Sequence, residues 1–177
     1  MRYFETPVRG AWRIEPEPRT DDRGWFMRVW CSHDFSQHGI AFNPVQANMG
    51  RSILKGTVRG MHFQVAPALE AKLVRCTRGS LFDVVVDLRS DSPTFRNWYG
   101  TPLTADDGRM LFIPEGCAHA CQALEDGTEF HYLTSAMYAP SHARGIPFDD
   151  PAIGVNWPLP VSAISDQDRT WPRLETN

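Results

Sequence analysis

The sequence predicts an all-β protein, a sandwich or barrel of short strands, on three observations. Short runs rich in β-branched and aromatic residues recur along the chain. Each is closed by a cluster of Gly, Pro or Asp, the residues whose backbone preferences make turns. Segments with helical character are scarce, and the spacing of strand and turn signals is that of a sandwich or barrel.

In chain order, Asp21-Asp22-Arg23-Gly24 makes a turn ahead of the bulky run 25–30, read as a strand, and 32–38 is read as a short helix. His62 is placed on a strand. The run 73–76 passes through Thr77-Arg78-Gly79-Ser80 into 81–88, whose Val84-Val85-Val86 centre favours an extended backbone. Asp91-Ser92-Pro93 breaks that run. Strands follow at 98–103, 110–113, 118–124 and 128–134, separated by Asp106-Asp107-Gly108, Pro114-Glu115-Gly116 and Glu125-Asp126-Gly127. Ser165-Asp166-Gln167-Asp168 offers capping chemistry for a C-terminal helical turn. From Pro147 the chain is rich in proline and tryptophan and is expected to lie along the barrel surface. No repeat or low-complexity stretch interrupts it, so residues 1–177 are expected to form a single domain.

Composition excludes several classes. At 177 residues with 42% hydrophobic and 22% charged residues, the chain can bury a sizeable core. A formal charge of -3 gives no general affinity for nucleic acid, so a polyanion site must be a local cluster. No apolar run approaches the roughly 20 residues that span a bilayer. The N-terminus carries an acid early and lacks the apolar centre of a signal peptide. A cytoplasmic protein that binds neither membrane nor nucleic acid is expected. Cys31, Cys76, Cys117 and Cys121 form no CxxC pair, and the Cys117–His119–Cys121 cluster lacks the second pair of ligands a zinc site needs. These thiols read as small buried side chains.

The densest chemistry lies in Arg59-Gly60-Met61-His62-Phe63-Gln64, with Lys72 soon after. An anion clamp, a proton acceptor and a second cation in one pocket would suit removal of a carbon-bound proton from a phosphorylated ligand. An imidazole titrates near about 6.5 and accepts a proton at neutral pH without drastic tuning. A metal-binding double-stranded barrel would carry a His-x-His pair here, but position 64 is Gln64. With His62 and His119 alone as ligands, no metal is expected. Asp168 reads locally as a surface acid. It matters only if the tail folds back to place its carboxylate on the Nδ1 of His62. Tyr132 could donate a proton from a barrel interior or simply pack there.

Together these segments resemble the dTDP-4-dehydrorhamnose 3,5-epimerase family of nucleotide-sugar 4-keto-6-deoxyhexose epimerases. The resemblance runs from Asp21-Asp22-Arg23-Gly24-Trp25-Phe26 to Ser165-Asp166-Gln167-Asp168-Arg169. Between them stand the stretches 58–64, 71–76 and 82–89, then Ser92-Pro93-Thr94-Phe95, the stretch 113–119 and Tyr138-Ala139-Pro140. It implies a cupin-like double-stranded β-helix, or jelly-roll barrel, with short peripheral helices, and a homodimer that uses no cofactor. It further implies His62 as base, Asp168 as its orienting partner, Tyr132 as acid on the other face of the sugar, and Lys72 at the C4 enolate oxygen. Arg23 and Arg59 would bind the diphosphate, Phe26, Gln46, Asn48 and His119 would add contacts, and Tyr138 would stack on the base. The chain departs from the family pattern at Arg28, Met49, Leu133 and Ala143. Two alternatives stay open at this point. One is a related barrel that moves the keto group, and the other is a nucleotide-sugar binding module without turnover.

Overall fold

The structure, a computed structural model, describes residues 1–175; residues 176–177 of the expected 1–177 domain lie outside the described residues. The chain opens with β1 (Arg2–Glu5), β2 (Trp12–Glu15), β3 (Arg19–Asp21) and β4 (Gly24–Phe26), then the helix α1 (Ser32–Gln37). Next come β5 (Gln46–Ser52), β6 (Val58–Gln64), β7 (Lys72–Arg78) and β8 (Ser80–Asp87). β9 (Trp98–Thr104), β10 (Met110–Ile113), β11 (Cys117–Ala123), β12 (Thr128–Thr134) and β13 (Ala143–Gly145) follow, and α2 (Asp166–Thr170) ends the series.

The strands form two antiparallel sheets that close into a cupin-like jelly roll. A six-stranded sheet runs β1-β2-β10-β7-β12-β5 and a five-stranded sheet runs β13-β6-β11-β8-β9. The β3–β4 hairpin pairs only with itself, and every residue in it is exposed.

Period-2 alternation sorts side chains into three apolar layers. Val74, Leu81, Val85, Leu111 and Cys121 meet between the sheets. Ile14, Leu73, Met110 and Phe112 face out from the six-stranded sheet and are covered by Phe35 of α1 with Ile40 and Phe42. Phe35 is fully buried, a burial worth about 1.5–3 kcal/mol. Met61, Val84, Val86, Ala118 and Ala120 face out from the five-stranded sheet and are covered by Ile146, Ile153, Val155 and Trp157. The tail thus lies along the barrel wall, as its composition suggested. Among the described residues no helix is long and apolar enough to cross a membrane.

One expected element is cut short. The run 25–30 continues as a strand only to Phe26, because Val29 and Trp30 turn away to pack under the α1 layer. Ser165 caps α2 as anticipated, its hydroxyl accepting from the Asp168 N–H at 3.0 Å.

Candidate active site

The site is built where the open end of the barrel leaves its inner wall uncovered. A cavity of about 510 Å³ is lined by Arg59, His62, Lys72, His119, Phe130, Tyr132, Ser165 and Asp168, among others. A second lobe of about 360 Å³ is lined by Gln46, Asn48, Gln64, Glu70, Tyr138, Ala143, Arg144 and Trp171. His62, Lys72, Tyr132 and Gln167 line both lobes, so the two meet at these side chains.

Arg59 and His62 stand three residues apart, which in a regular strand would send them to opposite faces. A register irregularity resolves this. On β11, His119 pairs with His62 and the next residue, Ala120, pairs with Gly60, so Met61 is the extra residue of a β-bulge. The bulge resets the alternation, and both side chains enter the cleft. Gly60 has φ +108, and a Cβ there would strike the carbonyl oxygen of His119 and the Cα of Ala120. Only glycine fits this position.

The C-terminal helix supplies the partner of the histidine. His62 Nε2 lies 2.5 Å from Asp168 Oδ1, and the Gly60 N–H donates to Asp168 Oδ2 at 3.1 Å. The nitrogen facing the carboxylate is therefore Nε2 rather than the Nδ1 anticipated from sequence, because the tail approaches β6 from α2. An Nε2–H donated to Asp168 leaves Nδ1 as the basic nitrogen. Burial opposes the Asp168 carboxylate, but the hydrogen bond and charge of His62 and the Gly60 N–H outweigh it and hold its pKa below the ordinary range.

Lys72 and Tyr132 come from β7 and β12 of the six-stranded sheet, the wall opposite His62. Lys72 is buried and paired with Glu70. Tyr132 stacks on Phe130, which itself lies over Gly50 where a side chain would block it. Burial, reinforced by Glu70 and Cys121, pushes the Tyr132 phenol above its usual value, so it stays protonated at neutral pH.

The remaining expected contacts divide. Arg59 is tied to the edge of the cleft, donating to Ser52 Oγ at 3.3 Å and to the Arg51 carbonyl at 2.8 Å. Gln46 accepts from the Tyr138 N–H at 3.3 Å, and Asn48 and Tyr138 line the second lobe. His119 is nearly buried, its Nε2 2.7 Å from Asp83 Oδ1. Arg23 and Phe26 line neither lobe of this chain's cleft. Arg23 is 90% exposed and bonded to Asp21, and Phe26 is 73% exposed on the same hairpin.

Three participants were given no role in the site from sequence. Asp83 sits inside the barrel on β8 facing His119, and its signal was an acid directly ahead of the Val84-Val85-Val86 run. Glu70 is the second. Gln64 is the third: where a metal-binding barrel would place a histidine, it accepts from the Ala139 N–H at 2.7 Å and donates to the Ala68 carbonyl at 2.9 Å. It fastens the Tyr138 loop. Among the described residues no three His, Cys, Asp or Glu side chains converge as a metal ion would require.

The departures also sort by place. Leu133 faces outward into the α1 layer, and Arg28 meets Asp34 at 3.7 Å, so neither enters the cleft. Met49 stands at the rim of the first lobe, and Ala143 lines the second.

A histidine backed by a carboxylate, a protonated phenol on the facing wall and an ammonium beside it define an enzyme that moves protons at carbon. The comparisons with known proteins agree. The family model described as dTDP-4-dehydrorhamnose 3,5-epimerase matches residues 5–176, and the chain belongs to that family of isomerases. It is 42% identical to the dTDP-4-dehydrorhamnose 3,5-epimerase of Methanothermobacter thermautotrophicus, over 100% of this chain and 96% of that one. It is 38% identical to a dTDP-4-dehydrorhamnose 3-epimerase of Streptomyces niveus, over 96% of this chain and 82% of that one. The crystal structure of the Bacillus anthracis dTDP-4-dehydrorhamnose 3,5-epimerase, with TDP and PPi bound, superposes with a TM-score of 0.94 at 36% identity, covering 98% of this chain and 99% of that one.

Proposed function

We propose that this enzyme inverts carbons flanking the C4 ketone of a dTDP-linked 4-keto-6-deoxyhexose. The observation that carries the reading is the placement of His62 and Tyr132 on opposing sheets of one cleft, with Lys72 between the lobes. His62 Nδ1 takes the proton from C3 or C5, and the C–H electron pair forms an enolate whose negative charge on the C4 oxygen meets the Lys72 ammonium. Tyr132 delivers its proton to the opposite face of the same carbon. The imidazolium and the phenolate then return to their starting forms by proton exchange with solvent. No bond other than C–H is exchanged, and the oxidation state of the sugar is unchanged. Asp168 holds the imidazole tautomer and Arg59 takes the diphosphate, with Gln46, Asn48, His119 and Tyr138 as further ligand contacts.

The test is incubation with dTDP-4-keto-6-deoxyglucose in deuterated water. Deuterium at C3, C5 or both is expected, its positions report which centres turn over, and His62→Ala should abolish it. Exchange that persists in His62→Ala, or none by the native enzyme, would refute the reading.

Three further statements belong with this proposal. The chain acts as one domain, since the tail crosses the outer face of the five-stranded sheet and then supplies Asp168 to His62. It works in the cytoplasm, in keeping with free Cys31, Cys76, Cys117 and Cys121. It is a homodimer. Edge strand β5 and its flanks expose Val45, Met49, Ile53 and Leu54, and the hairpin exposes Trp25 and Phe26. The hairpin is taken to reach a partner's cleft, where its Arg23 and Phe26 would meet the ligand.

A further inference from the structure

Glu70 has no part in the steps above, yet it lines the second lobe beside Lys72. Two residues apart in extended chain, the two side chains fall on one face and form a direct ion pair, with only 11% and 9% of their side-chain surface exposed. An ammonium so enclosed requires a counter-charge. Asp168 and Asp83 are committed elsewhere, Asp168 to His62 and the Gly60 N–H, Asp83 to His119, and Asp87 is held by Arg89. Glu70 is also anchored from behind. The Ala71 N–H donates to Ser135 Oγ at 2.8 Å, and the Ser135 N–H donates to the Ala71 carbonyl at 3.0 Å. The carboxylate is therefore carried on a pinned backbone rather than a loose loop.

We propose that Glu70 is a positioning residue that holds the Lys72 ammonium towards the C4 oxygen of the bound keto sugar and releases it as enolate charge develops. This inference rests on the epimerase reading. An ammonium carries three protons on a flexible four-carbon stem. Glu70 accepts a hydrogen bond from one of these N–H groups and restricts the stem, leaving the others for the ketone oxygen. The same carboxylate adds to the burial that raises the Tyr132 phenol above its usual value. Because carboxylate and ammonium together carry no net charge, the pair contributes little to drawing in a diphosphate. Its effect belongs to the chemical step.

Glu70→Gln keeps the shape and removes the charge. With the native enzyme shown to exchange deuterium, the variant is expected to lose about 10²-fold in kcat, the scale of misplacing a catalytic group by about 1 Å, with KM no higher than native. Glu70→Asp, which restores the charge on a shorter arm, should recover part of that kcat. An unchanged kcat in Glu70→Gln, a loss carried by a rise in KM, or no recovery in Glu70→Asp would overturn the proposal. Absence of exchange by the native enzyme would instead remove the epimerase reading itself.

Discussion

Tyr132 occupies a position that simple packing would also justify, since it stacks on Phe130 within the inner layer. What separates it from a packed phenol is its chemistry and its wall. Burial and the neighbouring Glu70 raise its phenol above the usual value, and His62 stands on the opposing sheet. Tyr132→Phe keeps the ring and deletes the proton. The variant should still wash deuterium into the sugar, because His62 can remove and return a proton on its own face. Net inversion of at least one centre should fall by about 10²–10⁴, the usual worth of a general acid. Product NMR beside the exchange assay measures both quantities, and full inversion by the variant would reassign the acid. His62 was legible from local sequence because it sits in a short glycine-bearing motif, and Lys72 because it opens the strand-like run soon after it. Asp168 was legible only through resemblance, since a partner 106 positions away leaves no local trace. Glu70 escaped notice for a different reason: a carboxylate beside a lysine reads as a solvated surface pair until burial shows otherwise.

At the scale of elements, the strands easiest to read were those with β-branched or aromatic centres. β8 and β12 needed no tertiary information. β5, with the sequence Gln-Ala-Asn-Met-Gly-Arg-Ser, has weak strand preference and is extended because β12 pairs along its full length. The hairpin strand that stopped at Phe26 shows the converse, a strong local preference overridden when Val29 and Trp30 find a buried layer. The bulge in β6 was the least legible feature and matters most to the site, since it brings Arg59 and His62 into one cleft. Gly60→Ala should therefore cost about 1–3 kcal/mol from the positive φ alone, with further loss from the clash against β11. Denaturant unfolding would show the lowered midpoint, and exchange activity should drop with it as the two side chains lose their shared phase. Native stability and activity in this variant would mean that the bulge does not set the geometry.

For the whole molecule, the hairpin stands apart from the chain's own cleft. Resemblance assigns Arg23 and Phe26 to the ligand, yet both project into solvent from a two-stranded unit that pairs with neither sheet. In the proposed dimer, residues that line neither lobe of their own cleft are supplied to the cleft of a second copy. A two-fold dimer makes that exchange reciprocal. The idea predicts complementation between two inactive proteins. Arg23→Ala damages the hairpin and His62→Ala damages the cleft, so each homodimer is defective at both sites. A mixed dimer pairs the intact cleft of the Arg23→Ala chain with the intact hairpin of the His62→Ala chain. If the two variants are co-refolded in equal amounts, half the dimers are mixed and one of their two sites is whole. About a quarter of native activity should then return. Sedimentation would establish the dimer independently. Failure of the refolded mixture to exceed its separate components would place Arg23 outside the partner's site, and the exposed hairpin would need another explanation.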